Sequence, residues 1–447
     1  MKDLTSGKES KLIRQFATPM ILGSIFHQLY NVVDSIIVGQ FIGKAALAAV
    51  GASFPVIFAL ISLIFGIGSG FTIIISQYFG AKDYKSIKKA IDTMYIFFFF
   101  AAIIVTTLGI IFSDDIFRLI KLPENVIPQA STYLKIFLSG IVFFFGFNGT
   151  NSILRGLGDS KTPLYFLIAS TILNIILDLL FIIVFKMGVA GAALATVISQ
   201  ALVFISIIIY LNKFHQIIHL SFSKISFDKN IFKKSIKIGL PSGIQQTLVG
   251  VGMMALMGIV SGFGTSVIAA YTVASRIEAF TKIPVMNYSM ALSTFVGQNL
   301  GANKIERVKK GFNSTLLMSG LICIILAVFI IPFRHYLIGF FTNDIDVINI
   351  GAKYLIIVTP FYILFSTMFT INGVLRGAGA TLIPMFVTLI SLWIVRIPLA
   401  YYFSNFMGVE GIWWAIPAAW AIGMCGNFIY YSSGKWKKKV VVKANEL

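Results

Sequence analysis

Charge is what this sequence lacks most. Only 12% of its 447 residues are Asp, Glu, Lys or Arg, against about 25% in a typical soluble domain. Too little polar side chain remains to cover a water-exposed surface of this size. A cytosolic enzyme, a secreted disulfide domain and a disordered regulator are therefore excluded. Cysteine is nearly absent too, and both Cys323 and Cys425 lie in apolar runs. A disulfide framework needs more of them, at wetter positions, so both are expected to pack as small buried hydrophobes. The polar, basic stretch Met1 to Lys11 leads into a long apolar run without a small-residue cleavage site, and no signal peptide is expected. What the chain does have is 57% hydrophobic residues, 42 Phe among its aromatics. Such a chain belongs in lipid.

Runs of about 20 apolar residues mark membrane helices. Twelve are present, over 14–39, 45–77, 91–112, 131–154, 164–185, 189–211, 236–261, 266–298, 312–333, 351–375, 382–403 and 409–432. The second and eighth exceed one crossing and are expected to tilt or to project beyond the lipid. Of the 36 Lys and Arg, 26 fall in segments on one side of this alternation and seven on the other. The remaining three, Arg276, Lys282 and Arg396, lie inside spans. A bias of this size places both termini in the cytoplasm of a multi-pass plasma (cytoplasmic) membrane protein. It also explains the net charge of +19 as attraction to anionic lipid, with no nucleic-acid partner.

The two halves of the chain repeat one another. Asn151-Ser-Ile-Leu-Arg-Gly-Leu-Gly158 is answered 221 residues later by Asn372-Gly-Val-Leu-Arg-Gly-Ala-Gly379. Gln77, Gly80 and Ala81 match Gln298, Gly301 and Ala302, and Pro19 matches Pro241 one residue out of step. Each repeat holds an even number of spans, so both enter the membrane in the same direction. The expected fold is all-α and integral to the membrane, with twelve helices in two six-helix lobes related by a pseudo-twofold axis along the membrane normal. The N-terminal lobe is expected over 1–222 and the C-terminal lobe over 223–447, joined by a charged cytoplasmic linker. This is an architecture for alternating access. In each Leu-Arg-Gly-x-Gly the glycines suit a left-handed cap and tight turn at a cytoplasmic helix end.

Nearly all of the 17 Asp and Glu sit in loops; Asp34, Asp178 and Glu278 do not. A carboxylate at mid-bilayer costs about 2.5–3.5 kcal/mol on insertion scales, so such residues face a cavity and usually carry function. Asn174 and Asp178 are four apart and share one helix face, and Thr196 in the next span adds a hydroxyl. Together with Asp34 they supply carboxylate, amide and hydroxyl oxygens. A hard cation such as Na⁺ takes oxygen ligands, and a proton is taken up by a desolvated carboxyl with a like-charged neighbour. Pro19 gives the first helix a place to bend. In the second repeat Ala255, Arg396 and Ala400 stand where Asp34, Asn174 and Asp178 stand in the first, so the ion site is asymmetric.

Glu278 either pairs with Arg276, Lys282 or Arg396, or attracts a cationic substrate. Met253, Met254, Met257, Met286 and Met290 cluster on the seventh and eighth spans, where methionine serves a promiscuous apolar pocket or ordinary packing. The candidate substrate cavity is Gln28, Tyr30, Gln245, Met253, Met257, Glu278 and Asn287. Glu410, at a span edge, reads as structural. His215-Gln-Ile-Ile-His219 has the spacing of a zinc helix, but Gln216 replaces the required Glu; no metal enzyme is expected.

At Gln28-Leu-Tyr-Asn-Val-Val-Asp34, Ser76-Gln-Tyr-Phe-Gly80, Leu154-Arg-Gly-Leu-Gly-Asp159, Asn174-x₃-Asp178, Gly191-Ala-Ala-Leu-Ala-Thr196, Arg276-Ile-Glu278 and Gly297-Gln-Asn-Leu-Gly301 the chain resembles prokaryotic multidrug and toxic compound extrusion (MATE) transporters over essentially all twelve spans. The resemblance implies a V-shaped pair of lobes. It also implies export of amphiphilic, often cationic compounds in exchange for inward H⁺ or Na⁺. The family's N-lobe cation site falls on Asp34, Asn174, Asp178 and Thr196, and its first-helix proline on Pro19. Some members use acidic residues of the C-terminal lobe, but here the seventh and tenth spans carry none. The expectation is a monomeric cation-coupled antiporter, with no enzymatic activity and no cofactor beyond its coupling ion. Its partners are small amphiphiles and membrane lipid. The alternative is a flippase for lipid-linked glycan precursors, which needs an Arg- and Lys-rich groove for pyrophosphate.

Overall fold

The computed structural model describes residues 2–214 and 225–442. The expected lobe boundary at 222/223, together with His215 and His219, lies outside the described residues. The helices are α1 (Glu9–Phe41), α2 (Lys44–Gly80), α3 (Tyr84–Ile111), α4 (Ser113–Leu119), α5 (Ile127–Ser139), α6 (Ile141–Gly156), α7 (Lys161–Asp178), α8 (Gly188–Phe214), α9 (Lys229–Ser261), α10 (Thr265–Gly301), α11 (Ile305–Gly339), α12 (Ile345–Val358), α13 (Tyr362–Gly377), α14 (Leu382–Leu389), α15 (Ile397–Met407) and α16 (Val409–Ser432). No strand occurs among the described residues.

Among the described residues, ten helical segments are individually long and apolar enough to cross a membrane, and α5 with α6 makes an eleventh. The twelfth, α10, has the length of a span but is more polar, carrying Arg276, Glu278, Lys282, Asn287 and Gln298. Two spans are interrupted. The fourth is bent by 55° between α5 and α6, at Gly140, where a Cβ would meet Val197 Cγ1 at 2.3 Å. The tenth runs from α12 through a 3₁₀ turn at Thr359–Phe361 into α13; Pro360 cannot supply the helical N–H there. Outward-facing Phe99, Ile104, Val328 and Phe329 are exposed, the arrangement lipid requires rather than water.

Packing divides the chain into two units, one of Thr18–Leu240 and the other of Asp3–Ala17 with Pro241–Leu447. The divisions fall inside α1 and α9, next to Pro19 and Pro241, and not between whole helices. In the first unit Asp228 caps α9 by accepting from the N–H groups of Asn230 and Ile231, both at 3.0 Å. Its own N–H donates to Thr93 Oγ1 at 3.0 Å, and its carboxylate pairs with Lys89 at 3.5 Å. A turn further on, α9 lies so close to α2 that a Cβ on Gly70 would sit 2.2 Å from the Ser235 carbonyl oxygen. In the second unit the Leu4 N–H donates to Gln298 Oε1 at 2.9 Å, and Asn299 Nδ2 donates back to the Leu4 carbonyl at 3.1 Å. Arg307 pairs with Glu9 at 3.0 Å and donates to the Gly7 carbonyl at 2.8 Å. Gln298 is one of the residues that mark the repeat.

The repeated Leu-Arg-Gly-x-Gly divides its labour. The second glycine takes the left-handed turn, with φ 78° at Gly158 and 84° at Gly379, where a side chain would be strained. The first permits helix contact: a Cβ on Gly156 would lie 2.9 Å from the Thr72 carbonyl oxygen, and one on Gly377 2.4 Å from that of Ser293. The core of the second unit is built on buried Trp413, stacked on Tyr271 at 5.5 Å and edge-on to Tyr354 at 4.9 Å. Cys323 is buried as expected, but Cys425 is exposed; a thiol is apolar enough for a lipid-facing position on α16.

Gly377→Ala should destabilise the protein by about 1–3 kcal/mol, because the added methyl meets backbone that cannot move aside. Gly258→Ala, in the same unit with nothing within 4 Å of its Cβ position, should be neutral or slightly stabilising. Thermal unfolding of the two purified variants in detergent checks this; equal melting temperatures would contradict the close-packed α10–α13 contact.

Candidate cation site

The site in the first unit forms where α1, α5, α7 and α8 meet. Gly23 lets α1 approach Leu167 and Leu164 of α7, at 3.5 and 3.7 Å from its Cβ position. Three turns on, half-buried Asp34 faces the end of α7. Asp178 closes α7 and is fully buried, with Asn174 buried one turn earlier and Thr196 buried on α8. Directly after Asp178 the helix widens into a π-helical segment, Leu179–Val184, a form frequent at functional sites.

The Asn174 amide fits its neighbours with its nitrogen donating to Asp178 Oδ2 at 2.9 Å and its oxygen accepting from the Thr196 N–H at 3.2 Å. The Thr196 hydroxyl donates to the Ala192 carbonyl at 3.1 Å. The carboxyl groups of Asp34 and Asp178 lie near enough to feel one another's charge. Two bare carboxylates so placed repel, and a proton or a metal cation between them would relieve that repulsion. Asp178 Oδ1 is buried with no hydrogen-bond partner, an acceptor left open at the centre of the cluster. The four residues read from the sequence as one set are thus neighbours, and their free groups are all oxygens.

Two tyrosines complete the cluster. Tyr30, read from the sequence as cavity-lining, and Tyr133 of α5 lie near Thr196 and in the field of both carboxyls. Tyr133 was not identifiable from sequence. It sits near the start of a span, where tyrosine is common as an interfacial anchor, and nothing local distinguishes it.

The remaining candidates are spread over both units. Gln28 is half-buried on α1. Gln245 Nε2 donates to Thr388 Oγ1 at 2.7 Å. Met253 is exposed, while Met257 packs partly buried against the second core. Asn287 is buried, and its amide nitrogen donates to the Ile283 carbonyl of its own helix at 2.8 Å. Among the partners open to Glu278, the structure selects Lys282, at 2.9 Å, with Tyr354 Oη donating to the other oxygen at 2.7 Å. Lys282 also lies over the rings of Phe365 and Trp420, at 5.4 and 5.8 Å. Glu410 pairs with Lys353 at 2.5 Å, a structural contact as read.

Comparison with known proteins adds the family. The MatE family model matches the chain twice, over residues 19–180 and 241–402, two stretches that reproduce the internal repeat. The probable multidrug resistance protein YpnP of Bacillus subtilis (strain 168) is 34% identical over 436 residues, 97% of this chain and 97% of that protein. The probable multidrug resistance protein NorM of Thermotoga maritima is 27% identical over 441 residues, 97% of this chain and 94% of that one. A crystal structure of MATE in the bent conformation superposes with a TM-score of 0.91 at 25% identity, covering 97% of this chain and 98% of that one. With its family model matched over both repeats and its helices following a solved MATE structure nearly end to end, this chain belongs to the MATE family of multidrug-efflux membrane transporters.

Proposed function

We propose that this protein is a cation-coupled antiporter, driven by H⁺ or Na⁺, that exports amphiphilic organic compounds by alternating access. The observation that carries the reading is the Asp34–Asp178 pair, closed in by Asn174, Thr196, Tyr30 and Tyr133. In a low-dielectric interior the empty pair holds mutually repelling negative charge, and one captured cation relieves it. The two states differ in charge where solvent cannot compensate, so they favour different packings of α1, which has Pro19 as a place to bend. A cationic cargo is drawn to the same carboxyls when they are empty, and ion and cargo then exclude one another, which gives exchange. Glu278 does not supply a second attractor, because Lys282 and Tyr354 already occupy it. The bias of basic residues supports insertion in the plasma membrane with both termini cytoplasmic. The transporter works as a monomer, without catalysis and without a cofactor other than its coupling ion.

The test is uptake and counterflow of a fluorescent cationic dye in proteoliposomes, with pH and Na⁺ gradients imposed separately. Asp34→Asn and Asp178→Asn should fold and insert normally yet lose gradient-driven transport by about tenfold or more, since a neutral amide cannot change charge state. Undiminished driven efflux by a well-expressed Asp34→Asn protein would rule the pair out. Tyr133→Phe removes one hydroxyl from the cluster and should weaken ion dependence by only about fivefold, the worth of one hydrogen bond. A half-maximal ion concentration equal to that of the parent protein would remove Tyr133 from the site.

A further inference from the structure

The second unit contains the repeat counterpart of the cation site, and its polarity is inverted. Ala255 and Ala400 replace the two carboxyls, and Arg396 replaces the amide of Asn174. The tyrosine is kept: Tyr354 stands 221 residues after Tyr133. Ile390–Arg396 is π-helical and ends on Arg396; the π-helical segment of the first repeat lies later in its span, at Leu179–Val184 after Asp178.

Arg396 is only 7% exposed, and its Nε has no hydrogen-bond partner. One terminal nitrogen reaches the Met253 sulfur at 3.7 Å, a weak acceptor. Arg396 feels the Glu278 carboxylate electrostatically but forms no ion pair with it among the described residues; Lys282 lies 2.9 Å from one Glu278 oxygen and Tyr354 donates to the other. Arg276, two residues before Glu278, is exposed on α10 and has no ion pair among the described residues. Apart from the Lys353–Glu410 pair at the span edge, the spans of this unit hold three basic side chains and one acidic one.

Depth makes this excess significant. Arg276 follows Gly264, and Arg396 precedes Gly408, by twelve residues each. Both glycines connect helices on the same membrane side, so both arginines lie about 18 Å along their helices from that side. A guanidinium at that depth is costly against acyl chains and characteristically turns to a watered cavity. Met253, whose sulfur Arg396 reaches, is 37% exposed, and Phe280, one helical turn after Arg276, is 48% exposed.

We infer that the second unit binds the anionic group, a carboxylate or phosphate, of an amphiphile through Arg396 and Arg276, with the exposed Met and Phe side chains against its apolar body. A guanidinium fork matches such a group with two parallel hydrogen bonds, and a buried, unpaired one is otherwise costly. This rests on the exporter reading for its role in transport, not for the binding itself. A cargo that satisfies both units carries a negative group as well as any positive one.

The experiment measures binding, without gradients, of fluorescent dodecyl amphiphiles to the full chain in phosphatidylcholine nanodiscs. The probes bear a carboxylate, a phosphate, a trimethylammonium or an uncharged head. The carboxylate and phosphate probes should bind saturably and more tightly than the others. Arg276→Gln and Arg396→Gln should each weaken them about tenfold, Arg396→Lys should restore part of the loss, and Gly258→Ala, with nothing within 4 Å of its Cβ position, should leave them unchanged. Binding is read without gradients, so failure of this site is distinguished from failure of the ion-coupling pair. Because Arg396 is buried, folding of its variants is checked by thermal unfolding; if they do not fold, the exposed Arg276→Gln carries the test. Tighter binding of the trimethylammonium probe than of both anionic probes, or parental affinity in folded Gln variants, would overturn the inference. Adding phosphatidylglycerol to the discs identifies the source of the anionic group. Competition that Arg276→Gln abolishes supports the site with a lipid headgroup as occupant, and undisturbed binding supports it with a diffusible amphiphile.

Discussion

A charge inside a membrane protein must be neutralised, paired or watered, and this constraint organises the molecule. Only a handful of ionisable side chains lie within its spans, and each meets the cost differently. Asp34 and Asp178 lie in one another's field, so that neutralising either relieves both. Glu278 meets it with the Lys282 ammonium beside one oxygen and a tyrosine hydroxyl on the other. Arg396 has only a sulfur and a distant field. The chemistry of the two units follows from which of these solutions each adopted.

The repeat makes the contrast interpretable. The two halves share the glycine pair at the cytoplasmic helix end, the glutamine next to the following loop, the proline near the start of the first helix and a tyrosine at the ion-site position. Those shared residues hold helices at fixed distances or turn the chain, tasks that both halves have in common. Gly377 and Gly156 act through the absence of a side chain, and Gly158 and Gly379 through access to positive φ. The residues that differ, Asn174 against Arg396 and Asp178 against Ala400, are those free to define what is bound. Duplication kept the scaffold and left the charges to diverge.

Much of this was legible in the chain. Hydrophobic runs gave twelve crossings because the bilayer fixes the length a helix needs. The pairing of Asn174 with Asp178 followed from helical spacing, and the rarity of mid-span carboxylates singled out Asp34. Other features had no local signature. Tyr133 looks like any interfacial tyrosine until α5 is placed against α8. The bend at Gly140 depends on Val197, far away in sequence.

The sequence by itself determined that the protein lives in a membrane, that it is two copies of one plan, and that one copy carries acid where the other carries base. These depend on composition, period and identity, which are properties of the chain alone. Only the tertiary structure decided that the first turns of α1 and α9 pack with the opposite repeat's helices, that Lys282 and not an arginine neutralises Glu278, and that Arg396 is left buried without a carboxylate. Each of those depends on which side chains come within a few ångströms across helices, and the order of residues along a chain does not fix that distance.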